Sequence, residues 1–156
     1  MTYRTANADP TREFLNSVRY ARVEYSRLSE RIKALESRCT SITASMSAMP
    51  NGGGADAQAL WAALADESAK LYPELRRAQE AEREVNEFID ALPNPAHRLV
   101  LKLRYVDVRG WEDVIQHLTQ GGLAYSARQV YRIHGEALEV ARALWSETHK
   151  EDDNDE

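Results

Sequence analysis

From Phe14 onward, apolar residues recur in alternating steps of four and three: Phe14, Val18, Ala21, Tyr25, Leu28, Ile32, Leu35, Cys39, Ile42, Met46 and Met49. That spacing is a heptad seam of about five repeats, with Arg and Glu filling most flanking positions. A strand, with its period of two, would scatter the same residues over both faces. A start signal stands before the seam. Asp9 is suited to cap a helix, and Pro10 fits the first helical position, where its missing N–H costs nothing. The pattern stops at PNGGGADA, residues 50–57, because Pro50 and three consecutive glycines cannot continue a helix. No strand precedes these glycines and no GK[ST] follows them, so they read as a turn and not as a phosphate loop.

A second start signal lies at Asp56. Apolar or small residues then recur at Ala57, Trp61, Leu64, Leu71, Leu75, Ala78, Val85, Ile89 and Leu92, with Ser68 and Glu82 interrupting the stripe. Pro73 removes a hydrogen bond from the helix interior and is expected to kink or split this helix. The run ends at LPNP, residues 92–95. At about 1.5 Å per residue the two helices would be about 60 and about 54 Å long. Near-equal lengths around a glycine turn predict an antiparallel, coiled-coil-like hairpin over 10–94, turning at 50–56. Parallel pairing of two chains through the first seam, or two hairpins packed into a bundle, fits the same pattern, and a homodimer through these helices is expected. Cys39, the single cysteine, allows no internal disulfide; on the seam it reads as a small core residue and not as a reactive thiol.

Charge is divided unevenly along the chain. Residues 1–94 carry a net −2, residues 95–145 a net +2, and residues 146–156 a net −5. The whole-chain value of −5 therefore says little against a nucleic-acid partner, since the acidity sits in SETHKEDDNDE, which reads as a solvated, disordered tail. Residues 1–9 read as a flexible N-terminus without the apolar core of a secretory leader, and no apolar run reaches the roughly 18 residues of a membrane span. A cytoplasmic protein without membrane contact is expected.

Three short helices are predicted after Pro95. AHRLVLKLRYV (96–106) is apolar on both sides, with Leu99, Val100, Leu103 and Val106 on one and Leu101 and Tyr105 on the other, so it should pack between two neighbours. In WEDVIQHL (111–118), Trp111, Val114, Ile115 and Leu118 share a face. The turn TQGGLAY carries Gly121 and Gly122, which permit a sharp reversal. The last helix opens on a capping box in which Ser126 and Gln129 satisfy each other's backbone N–H. At 100° per residue its buried side holds Val130, Ile133, His134, Ala137, Ala141 and Leu144. The opposite side holds Arg128, Gln129, Arg132, Gly135, Glu136 and Glu139. An amphipathic helix, a glycine turn and a second helix whose first exposed turns offer Arg-Gln-x-x-Arg match a DNA-reading helix-turn-helix. Arg can pair bidentately with guanine and Gln with adenine.

The stretch LRYVDVRGWEDVIQHL followed by YSARQVYRIHGEAL resembles the C-terminal segment of phage-encoded late-transcription regulators of the RinA and ArpU kind, themselves similar to region 4 of bacterial sigma factors. The matching pieces are Leu103-Arg104-Tyr105, Trp111-Glu112, Ile115, Leu118 and Tyr125 to His134. TQGGLAY is longer than the turn of that pattern by about five residues. The resemblance implies a sequence-specific transcription regulator binding double-stranded DNA, in a bacterial host cell and alongside host RNA polymerase, with no enzymatic activity. Carried over by position, Ser126 caps the recognition helix, Arg128, Gln129 and Arg132 contact DNA, and Trp111 anchors the preceding helix. Lys102, Arg104 and Arg109 are candidate phosphate contacts.

The expected architecture is all-α, a long helical hairpin followed by a helix-turn-helix over 95–145. Two other functions fit it: a DNA-packaging subunit of the small-terminase kind, and a protein-interaction module that docks on RNA polymerase without reading DNA. His97, His117, His134 and His149 have no metal-ligand spacing, and no catalytic motif is present, so no metal, cofactor or catalytic residue is expected.

Overall fold

The computed structural model describes residues 9–46 and 54–150. Every regular element among them is helical: α1 (Pro10–Met46), α2 (Gly54–Asp90), α3 (Pro95–Leu101), a π-helical turn (Lys102–Val106), α4 (Trp111–Gln120) and α5 (Ala127–Lys150). None is long and apolar enough to cross a membrane. The chain divides into two compact units, residues 20–80 and residues 1–19 with 81–156. This division differs from a hairpin over 10–94 set apart from a C-terminal domain, because the first turns of α1 and the last of α2 share a core with α3, the π turn and α5.

In the unit of residues 20–80, Leu35, Cys39 and Leu60 are buried together with Ile42 and Leu64 against them. Arg31 meets Glu67 at 3.5 Å. Rising numbers on α1 thus face falling numbers on α2, so the helices run antiparallel here. The seam residues Leu28, Ile32, Leu35 and Cys39 are buried within the single chain. On α2, Leu60 occupies the buried place expected of Trp61, which is half exposed. Pro73 does not split α2. Proline frees the carbonyl four residues earlier, and because Pro73 is on an exposed position, water can serve that group. Helix α2 also begins earlier than Asp56 indicates: Gly54, Ala55 and Asp56 already form its first turn. The rest of the expected glycine turn, residues 50–53, lies outside the described residues, as do residues 1–8.

In the other unit, α1 opens as its sequence dictates, with the Thr11 N–H donating to Asp9 Oδ1 at 3.2 Å. Leu15 and Val18 of α1, Val85 and Ile89 of α2, Leu92 just after it, Leu101, Tyr105 and Val106, and Ala137, Leu138 and Ala141 of α5 form one core. Phe14, Phe88 and Trp145 close its edge as an aromatic trio, with centroids 4.7 to 5.9 Å apart. A second core gathers Val100, Leu103, Val114, Leu118, Val130 and Ile133, with Trp111 and Ile115 against it. The 95–106 segment therefore faces both cores, as its two apolar sides predict.

Val106 falls on the side opposite to the one expected from helical projection, beside Leu101 and Tyr105. The cause is the π turn, in which the Asp107 N–H donates to the Lys102 carbonyl five residues back, at 2.8 Å. One extra residue in that turn rotates the downstream chain relative to an α-helix. The turn is left through Val108 at φ 54°, a left-handed conformation that a β-branched residue adopts at a cost of roughly 1–2 kcal/mol. The Arg109 N–H donating to the Leu103 carbonyl at 3.0 Å holds it there.

Helix α4 stops at a Schellman motif. Gly122 adopts φ 87°, its N–H bonds to the Thr119 carbonyl at 3.1 Å, and the Leu123 N–H reaches the Leu118 carbonyl at 2.9 Å. Helix α5 continues to Lys150, so Ser146–Lys150 of the expected disordered tail are helical. His149 stacks on Trp145 there, with centroids 3.8 Å apart. Residues 151–156 lie outside the described residues.

Candidate nucleic-acid interface

The exposed first turns of α5 are built by local sequence. The Ser126 N–H donates to Gln129 Oε1 at 2.8 Å, and the Gln129 N–H donates to Ser126 Oγ at 3.2 Å, which is the reciprocal capping box. It satisfies two backbone donors and fixes where the helix begins. The buried side is then occupied by Val130, Ile133, His134, Ala137 and Ala141 as projected, with Leu138 buried on its flank. Arg128, Gln129 and Arg132 remain exposed and line an open hollow together. Arg132 lies 3.7 Å from Glu136, whose other carboxylate oxygen is 3.7 Å from Nε2 of His97.

Trp111 connects α4 to this helix. Its ring meets Tyr131 edge to face at 5.0 Å and His134 at 4.8 Å, while the Arg104 guanidinium lies over it at 4.7 Å. Behind Trp111, the Tyr105 hydroxyl and Nε2 of His134 share a 2.9 Å hydrogen bond. Burial, followed by the charges of Arg12, Arg104 and Arg142, pushes the His134 pKa down to about 4, so its imidazole is neutral at pH 7.

The three candidate phosphate contacts have different surroundings. Lys102 pairs with Asp90. Arg109 has Asp107 at 3.8 Å, and its Nε is buried. Arg104 donates to the Arg109 carbonyl at 2.7 Å, which ties the exit of the π turn to its middle. Burial lowers the Arg104 pKa, and the nearby charges of Arg19 and Arg12 lower it further. Sequence reasoning gave Arg12 and Arg19 no role. Their seven-residue spacing, which puts both on one side of α1, was the available signal.

No group of His, Cys, Asp or Glu among the described residues could hold a metal ion. Compared with family models, curated proteins and solved structures, the chain matches none.

Proposed function

We propose that this protein is a sequence-specific DNA-binding transcription regulator of phage or prophage genes, acting in the cytoplasm of a bacterial host beside RNA polymerase. In this reading α4, the Gly121-Gly122 turn and α5 serve as a helix-turn-helix. The observation that carries it is the placement of Arg128, Gln129 and Arg132 on the open side of the first turns of α5, behind a closed capping box. Residues at that end of a second helix are the ones that reach base edges in the major groove. Arg128 and Arg132 supply bidentate donors for guanine and Gln129 the paired amide for adenine. Ser126 fixes the helix start, and Trp111 holds α4 against α5. The heptad seam is spent inside the chain, so a homodimer would use other surfaces of the hairpin, where Tyr20, Val23, Trp61 and Tyr72 are exposed.

The test is fluorescence anisotropy with duplexes tiled from the DNA flanking the gene, against a scrambled duplex, for wild type and Arg128→Ala/Arg132→Ala. One preferred tile, lost in the double variant, is the expected result. Equal binding of every duplex, or none at low salt, would refute sequence reading and turn the search to protein partners.

A further inference from the structure

The N-terminal helix carries a basic feature that the Arg-Gln-x-x-Arg face does not include. Arg12 and Arg19 are two turns apart on α1, about 10.5 Å along its axis. The neighbouring Thr11, Leu15 and Val18 are buried, which fixes how α1 is rotated. Leu15 and Val18 share a core with Tyr105 and Val106 of the π turn, which brings this part of α1 beside the segment that carries Arg104, and the charges of both arginines act on it. None of the three is ion-paired to an acidic residue among the described residues, whereas Arg27, Arg31, Arg77, Arg109, Arg132 and Arg142 are. Like charges gathered without a carboxylate repel one another, and an anion held between them would relieve that repulsion.

Arg104 is held in place for such a role. One of its nitrogens donates to the Arg109 carbonyl and its plane rests on Trp111, leaving further N–H donors of the guanidinium uncommitted. Trp111 in turn contacts Tyr131, which is half exposed and lies between Arg128 and Arg132 in sequence. The arginine group and the Arg128/Arg132 face are thus joined through Trp111 and Tyr131. Seven residues of α1 span about the rise of three nucleotides of one DNA strand, at about 3.4 Å each.

We propose that Arg12, Arg19 and Arg104 form a phosphate-binding patch that grips the backbone of duplex DNA beside the groove entered by α5. It rests on the DNA-binding reading above, and adds that α1 is part of the interface. Phosphate contacts fix position and supply affinity without reading sequence, so the patch and the α5 face should separate in experiment.

The experiment is anisotropy at several salt concentrations, on the preferred duplex and a scrambled one, for wild type, Arg12→Gln/Arg19→Gln, Arg12→Lys/Arg19→Lys, and Arg27→Gln/Arg38→Gln as an equal-charge control. Thermal melts check that each is folded. The glutamine variant should bind both duplexes several-fold more weakly and lose about two contacts' worth of salt slope, at about 0.9 each, while keeping its preference between them. The lysine variant should recover most of the slope, and the control should match wild type. An unchanged slope in a folded glutamine variant overturns the patch even if sequence preference stands. A reduced slope with no preference for any duplex in wild type supports the patch and overturns the sequence-reading function. Equal weakening by the control also overturns the patch, since general charge would then explain the loss.

Discussion

The Tyr105 hydroxyl and Nε2 of His134 meet at 2.9 Å in the interior, joining the π turn to α5 beneath Trp111. The burial of His134, with the charges of Arg12, Arg104 and Arg142 around it, makes stability depend on pH. His134 titrates near 4 in the fold against 6.5 unperturbed. Above about pH 6.5 neither state binds the proton. As the pH falls from there toward about 4, the unfolded chain takes it up and the folded one does not, so stability declines, by up to roughly 3 kcal/mol for this residue. Urea unfolding at pH 7.5 and 4.5 should show the loss, and His134→Leu should flatten it. An equal decline in the leucine variant would assign the effect elsewhere. Tyr105→Phe, which strands the buried ring nitrogen, should cost about 1–3 kcal/mol at pH 7.5.

Asp9 joins the start of α1 to α5. Its carboxylate accepts from the Thr11 N–H and from Arg142 Nε at 2.7 Å. Burial alone would raise its pKa, but Arg142 and the backbone N–H groups of Arg12 and Thr11 hold it below the ordinary value. Its charge therefore contributes stability at neutral pH, and that contribution fades as the pH drops through the carboxylate range. Asp9→Ala should cost about 1–2 kcal/mol by denaturant titration. Asp9→Asn, which keeps the cap, should cost under about 1 kcal/mol.

The capping box at Ser126 offers a purely local test. Ser126→Ala should destabilise by about 1 kcal/mol and Ser126→Asp by little, because aspartate accepts the same backbone N–H. Similar melting temperatures for the alanine variant and wild type would show that tertiary packing alone sets the start of α5.

Gly135 sits on the exposed side of α5, and a Cβ added there would meet nothing within 4 Å. Gly135→Ala should stabilise the fold by about 0.5–1 kcal/mol through helix propensity. If α5 lies in a DNA groove, the methyl group is met only by the ligand. Weaker DNA binding by a more stable protein would then place this face in the interface, and unchanged binding would place it outside.

The features legible in the sequence are those set by neighbours a few residues away. Asp9 with Pro10, Ser126 with Gln129, and the apolar spacing of 111–118 each state their structure locally, and each is found as read. The rest depends on partners distant in the chain. Projection assumes α-helical geometry and so placed Val106 on the wrong side; nothing within KLRYV announces the π turn. Leu15 lies off the heptad seam and Thr11 is a polar residue at the heptad place seven before Val18, yet both are buried because the unit they belong to also includes α5. The proximity of Arg12 and Arg19 to Arg104 arises the same way, from packing between segments that no local pattern connects. Of the candidate interface, Arg128, Gln129 and Arg132 were legible from one helix, whereas the surroundings of Lys102, Arg104 and Arg109 were not.

The π turn makes residue count matter as much as residue identity between Val100 and Trp111. Replacing Lys102 or Arg104 alters one side chain. Adding or removing one residue rotates everything downstream by about 100°, which would take Val106 out of its core and swing Trp111 away from Tyr131 and His134. This stretch should therefore accept substitution at its exposed Asp107, yet no single-residue insertion or deletion, even one that adds or removes only a small residue.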